Sequence, residues 1–378
     1  MHRNTFFRGI LFSLAIISGG FLAAQAGELD VRIHGDNITN VPTPADGFAK
    51  APKFAQTYVY TSFTDTIALG QAIGGKFSLS YELEITGAPT FMGRGSNANK
   101  DVIFDDHGLA LPEFRVDYDM DYLTLYTGKF YPLSGFDPYS FYGIKTYSNI
   151  FHLTMNERLG FGGEGRYDFG DFGQHSLDVS VFMADNTGFS NSLFNKRGRT
   201  NADIPGDPSN TGNLDSYSVA ISGGNIPLLE NFTYRIGLLD MSVIDNDGRK
   251  SDENETRFSF AVSYSHNIAE LFDLAFMGEL VGIDNKAGIK DFNETWLILA
   301  LRATYEQWHL DLAYIDYEQE TTTNNVTATT DAVENIEISI GHDFGNGFTT
   351  SIGYESQDVQ NIGRTNSFLL LTRYSMSF

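Results

Sequence analysis

No cysteine occurs anywhere in the 378 residues. Disulfide-stapled folds and thiolate metal sites are thereby excluded. Basic residues are scarce: 25 Lys and Arg stand against 48 Asp and Glu, a formal charge of -23. A phosphate backbone needs a basic face to displace its counterions, so nucleic acid is not a partner. Long hydrophobic runs are missing as well. After residue 26 the longest unbroken apolar stretch is Trp296 to Leu301, far short of the roughly 20 residues a membrane helix requires. What the chain does contain is 38 glycines, 31 phenylalanines and 19 tyrosines. With aromatics at 14%, disorder is excluded.

Arg3 and Arg8 precede an apolar run from Gly9 to Ala24, and Ala24-Gln25-Ala26 is a small-x-small site. This arrangement predicts a signal peptide over 1–26, cleaved after Ala26, with 27–378 as a single domain. The leader carries two arginines and no acid, so its removal leaves the chain more negative still. Export without cysteine points to the envelope of a diderm bacterium.

Beyond residue 26 the hydrophobic period is two. In Lys76-Phe77-Ser78-Leu79-Ser80-Tyr81-Glu82-Leu83-Glu84-Ile85 every odd residue is apolar and every even one polar, the mark of a strand with one greasy and one wet face. The pattern recurs in Arg257 to Ser265, in Ser176 to Met183 and in Ile336 to Ile340. Sixteen strands are predicted, starting near residues 29, 56, 76, 111, 122, 157, 175, 214, 232, 256, 273, 293, 307, 334, 348 and 366. Connections alternate between short (Met120-Asp121, Asp171 to Gln174, Glu306-Gln307, Phe344 to Gly347) and long. Long ones include Thr86 to Ala110, Tyr131 to Asn156, Asp185 to Asn213, Ile244 to Thr256 and Glu318 to Thr330. A soluble sandwich has no reason to place its long loops on every second turn. A membrane barrel does, with short periplasmic turns and long external loops. The expected fold is therefore all-β, a 16-stranded antiparallel transmembrane β-barrel in the bacterial outer membrane. Aromatics near strand ends (Tyr58, Tyr60, Tyr131, Tyr167, Phe169, Trp308, Tyr314, Tyr317, Phe344, Phe348 and Tyr354) suit its interfacial girdles.

The final segment alternates Phe378, Met376, Tyr374, Thr372, Leu370 and Phe368 with Ser377, Ser375, Arg373, Leu371, Leu369 and Ser367. It resembles the terminal strand of bacterial outer-membrane proteins, although Leu369 and Leu371 break strict alternation. With the leader and the strand count, the whole chain resembles the general bacterial porins. The resemblance implies a passive water-filled channel for small hydrophilic solutes, with no enzyme activity and no cofactor. It further implies a homotrimer bounded by outer-membrane lipid and lipopolysaccharide. An assembly machinery that reads Phe378, Met376 and Tyr374 is implied too. In that family the third external loop folds into the barrel and narrows it.

Here that loop is Tyr131 to Asn156, rich in Tyr and Phe and therefore costly to leave in water. Its charged or titratable members Asp137, Lys145 and His152 are expected at the constriction. Strand parity supplies an opposing wall. Inward bases are Lys76, Arg115, Arg158, Arg166, Arg235, Arg257, Arg302 and Arg373. Inward acids include Glu82, Glu84, Asp117, Asp119, Glu164, Asp168, Asp178, Asp311 and Glu337; Lys129 is left without a side. Both signs line the wall with acids in excess, which predicts mild cation preference rather than the arginine ladder of an anion filter. The aromatic loop alternatively offers a stacking track for saccharides.

Three motifs lead elsewhere and are set aside. Gly160-Phe161-Gly162-Gly163-Glu164-Gly165 has dinucleotide-binding spacing, but strand-like residues follow it where a helix is needed. Asp245-Asn246-Asp247-Gly248 with Asp252, Glu253 and Glu255 has its glycine too early for a calcium loop of the helix-loop-helix type. Ser265-His266 has the residue types of a hydrolase, but His266 shares the lipid-facing parity of Tyr264. An enzyme or an adhesive barrel with a plugged lumen are the lesser alternatives.

Overall fold

The computed structural model describes residues 27–39, 54–72, 74–87, 102–103, 107–190, 207–244, 251, 253–323 and 326–377. Residues 1–26 and Phe378 lie outside them. Sixteen long strands run in chain order: β1 Gly27–Thr39, β2 Phe54–Ala72, β3 Gly75–Gly87, β4 His107–Asp119, β5 Leu123–Phe130, β6 Arg158–Asp168, β7 Gln174–Ala184 and β8 Ser216–Gly224. They continue as β9 Phe232–Met241, β10 Glu255–Ala269, β11 Phe272–Asp284, β12 Phe292–Tyr305, β13 Trp308–Thr323, β14 Val326–Asp343, β15 Phe348–Val359 and β16 Gly363–Ser377. A two-residue strand, Val102–Ile103, pairs parallel to β2.

Each long strand pairs antiparallel with its neighbours in sequence, and β1 pairs with both β2 and β16, in register Leu29↔Met376. The sheet therefore closes on itself. Closure leaves no unpaired edge, the condition for a sheet to sit in hydrocarbon.

Side-chain distribution is inverted relative to a soluble protein. On β10, Phe258 and Phe260 are 49% and 43% exposed, while Arg257 and Ser259 between them are buried. On β14, Ile336, Ile338 and Ile340 are exposed and Glu337 and Ser339 buried. The apolar parity points outward and the polar parity inward, as the period of two requires. Aromatic pairs gather on the outer face at the short-turn rim: Tyr167 with Phe169, Tyr305 beside Trp308, and Phe344 with Phe348 and His342. His266 is exposed there and stacks on Tyr264 with ring centroids 6.2 Å apart.

Several expectations need correction. Glu318 to Thr330 is not an open loop. β13 and β14 continue pairing to Thr323↔Val326, because the Thr-rich flanks favour extended backbone. Tyr131 and Tyr317 are not girdle residues: Tyr317 is buried and donates to Glu294 at 2.9 Å, and Tyr131 donates to Glu82 at 3.4 Å. The inner wall is also less polar than strict alternation implies. Val281, Ile283, Ile298, Ala300, Ala313 and Ile315 of β11–β13 form an apolar patch inside the barrel. Tyr58 and Tyr60 have side chains outside the described set.

Candidate functional site: the third loop and the inner wall

The connection from β5 to β6 folds into the barrel. Its first turn is dictated locally: Asp137 caps Pro138–Ser140 by accepting the Tyr139 N–H at 3.0 Å. Proline at the first helical position lacks the N–H that would go unpaired. A short helix, α1 Thr146–Ile150, follows. Phe141, Ile150 and Leu153 are buried against the apolar patch of β11–β13, and Ile144 is 1% exposed. Each such side chain removed from water is worth about 1.5–3 kcal/mol. That term turns the aromatic richness of the loop into a docking force.

Polar contacts then fix where the loop lies. Glu279 of β11 accepts the Phe136 N–H at 3.3 Å. Glu337 of β14 accepts the N–H of Ile144 and, at 2.9 Å, that of Lys145. Glu355 of β15 takes Lys145 Nζ and the Asn149 amide, both at 2.9 Å. From the opposite sign, Arg235 donates to the Gly135 carbonyl at 2.8 Å and Arg257 to the Leu153 carbonyl at 2.8 Å. Arg302 lies over the Tyr142 ring at 4.5 Å while gripping Asp311 at 2.6 and 2.8 Å. At Gly237 of β9 the loop backbone of Ser134 occupies the space a Cβ would need; glycine is what permits that approach.

These contacts divide the residues read from sequence. Asp137, Lys145 and His152 all lie on the inserted loop, but only Asp137 is exposed. Lys145 is spent on Glu355. His152 packs its ring on Trp296 at 4.7 Å. Arg235 and Arg257 are loop tethers, and Arg257 also pairs with Glu255 at 2.6 Å. Arg158, expected on the open wall, is 2% exposed and sealed by Asp207 at 3.3 Å and the Pro208 carbonyl at 3.2 Å. Arg115 pairs with Asp117 at 2.9 Å beside Tyr126, and Glu82 meets Tyr131. Arg166 bridges Thr124 and Glu164 toward the short-turn rim. Glu84 sits on β3 opposite Ser62 and Ala110. Lys129, without a side in the sequence, is 3% exposed and bonds Glu157 at 2.8 Å and Asp185 at 2.9 Å. Glu279, Glu294 and Glu355 were missed by the parity reading. Their carboxylates are at 7% exposure or less; Glu279 and Glu355 hold the loop, and Glu294 ties Lys286, Trp296 and Tyr317 together within the wall.

His152 is the titratable member of this arrangement. Burial, with Lys286 and Arg257 adding repulsion, lowers its pKa from 6.5 to about 4. In the unfolded chain it gains a proton near pH 6.5; in the folded chain it does not until about pH 4. Stability is therefore lost as pH falls through that window and levels off below it. The His152→Phe variant keeps an aromatic ring on Trp296 with no proton to gain. Its unfolding midpoint falls less than the parent's between pH 6.5 and 4 in pH-series thermal melts. Equal falls would remove His152 from the account.

Two of the three set-aside motifs lie within the described residues. Gly160–Gly165 lies within β6, and the Tyr126 ring fills the space beside Gly162. Asp245 and Asp247 fall outside the described residues. Ser265 and His266 lie on β10.

No family model and no curated protein sequence matches the chain. Solved structures do. The outer membrane channel DcaP of Acinetobacter baumannii is 12% identical, with TM-score 0.55 over 94% of this chain and 99% of that one. The trimer form of OmpT, an outer membrane protein of Vibrio cholerae, is 10% identical, with TM-score 0.51 over 94% and 100%. Pseudomonas aeruginosa OccK9 (OpdG) is 9% identical, with TM-score 0.51 over 94% and 99%. The fold is that of sixteen-stranded outer-membrane barrels, and the chain resembles the bacterial outer-membrane porins.

Proposed function

We propose that the chain forms a water-filled channel in the bacterial outer membrane for passive diffusion of small hydrophilic solutes and ions, with a mild preference for cations. The observation that carries this reading is the inverted side-chain distribution: an apolar outer band, and an inner wall of paired bases and surplus carboxylates. Asp119 and Glu164 share one base, Arg166, at 3.9 and 3.3 Å, and Asp168, on the same strand as Glu164, is exposed. Fixed negative charge within about 8 Å of a permeating ion favours cations at physiological salt. The likeness to the channel DcaP and the solved trimer form of OmpT support a channel role and a homotrimer.

The same reading takes residues 1–26 as an export leader removed after Ala26, lipopolysaccharide and lipid as the surrounding partners, and Met376 and Tyr374 of β16 as part of the assembly signal. Asp137, Lys145, His152 and the paired wall charges Arg115, Asp117, Glu82 and Glu84 border the narrowest passage. Transport is passive and no reaction is catalysed. Planar-bilayer recordings test it: steady open conductance with a reversal potential shifted toward the cation potential in a KCl gradient is expected. Anion selectivity refutes the preference, and electrical silence refutes the channel.

A further inference from the structure

A cavity of about 230 Å³ opens between the inserted loop and the wall of β12–β15. Asn149 and His152 line it from the loop, and Trp296, Ile315, Tyr317, Val333, Asn335 and Gln357 from the wall, with Lys286 at the edge. Resting on the channel reading above, we propose that this cavity is a binding subsite for one neutral, hydroxyl-rich ring, a monosaccharide unit, on its way through the barrel.

Charge bookkeeping selects the class of ligand. Glu294 is enclosed, taking Lys286 Nζ, the Trp296 Nε1–H at 3.3 Å and the Tyr317 hydroxyl at 2.9 Å. Glu355 takes Lys145, Asn149 and Asn335. Both acids are neutralised inside the wall. His152 adds no charge near neutral pH. A charged solute therefore finds no opposite charge to replace its hydration, and its entry is penalised.

What remains is chemically mixed. Trp296 and Tyr317, with ring centroids 4.2 Å apart, join Ile315 and Val333 in an apolar wall suited to the C–H face of a sugar ring. The amide nitrogens of Asn149 and Asn335 each give one N–H to Glu355, and their carbonyl oxygens are the acceptors for hydroxyl donors. Gln357 supplies a further amide. The volume falls below the roughly 300–1,000 Å³ of sites for drug-sized ligands, so a single ring is the size that fits.

Glucose titration of channels in planar bilayers tests this. Glucose is expected to reduce current saturably, while sorbitol (equally hydroxylated but open-chain) and the charged glucuronate and glucosamine need about tenfold higher concentration, the factor that 1.4 kcal/mol represents. Val333→Phe fills the cavity and lowers the sugar-free conductance as bound glucose does, and Gln357→Ala removes one of its amides; each raises the half-blocking glucose concentration. Open channels that glucose does not block, that sorbitol blocks equally, or whose block survives both substitutions overturn the subsite and leave the channel reading standing. Absence of conductance in the parent protein overturns the channel reading itself.

Discussion

Arginine in place of Ile338 destabilises the barrel by about 2–4 kcal/mol, the cost of a guanidinium at mid-depth on the lipid face. Ile338 is 47% exposed on the outer face of β14, with Ile336 and Ile340 flanking it on the same side. Among the described residues its cross-strand partners are Leu312 and Tyr354, neither of which carries a charge to pair with arginine, and hydrocarbon cannot hydrate it. Thr233→Arg makes the matching change on the inner face. Thr233 is exposed beside Ser263, to which its hydroxyl is bonded at 2.7 Å, and water in the lumen solvates the new head group. The loss there stays within about 1 kcal/mol, the worth of one hydrogen bond. Equilibrium urea unfolding in lipid vesicles reads both values. A soluble sandwich reverses the order, because its exposed strand face accepts arginine and its hidden face does not.

The double variant Glu337→Ala with Glu355→Ala frees the third loop. Two main-chain N–H groups, the Lys145 ammonium and the Asn149 amide lose their acceptors together. Hydrogen bonds to charged groups contribute about 1.5–3 kcal/mol each, so seating weakens by several such increments, offset in part by water. The strand ladder is untouched, and the barrel still folds. Raised single-channel conductance, a larger size limit in liposome swelling and new protease cleavage between Gly135 and Asn149 are expected. Glu334→Ala, an exposed change on the same strand, leaves all three unchanged. A double variant with parental conductance and protease resistance would mean that the apolar contacts of Phe141, Ile150 and Leu153 hold the loop unaided.

The strands were legible because period-two alternation is a property of residue type, and the inside-out solvent arrangement of this barrel leaves it intact at Phe258, Phe260 and Ile336 to Ile340. The inserted loop was legible only by family resemblance and its cost in water. Its partners were not. Arg235 and Arg257 bond main-chain carbonyls, and such a bond needs no particular residue type at the acceptor, so it leaves no pattern to read. Glu279, between Gly278 and Leu280 in a mostly apolar strand, is the acceptor for the Phe136 N–H. The apolar patch inside β11–β13 did leave a trace, the two-sided run Trp296 to Leu301. An apolar residue on the wet parity signals that something other than water covers it, and here that cover is the third loop.

Because the wall holds that loop so largely through peptide groups, at Gly135, Phe136, Ile144, Lys145, His152 and Leu153, anchorage and chemistry are separable. Side chains such as Tyr139 and Asp137 can be exchanged without surrendering the moorings. One scaffold can thus be re-tuned for a different cargo by editing a handful of codons, and an engineer seeking new permeation properties has the same freedom.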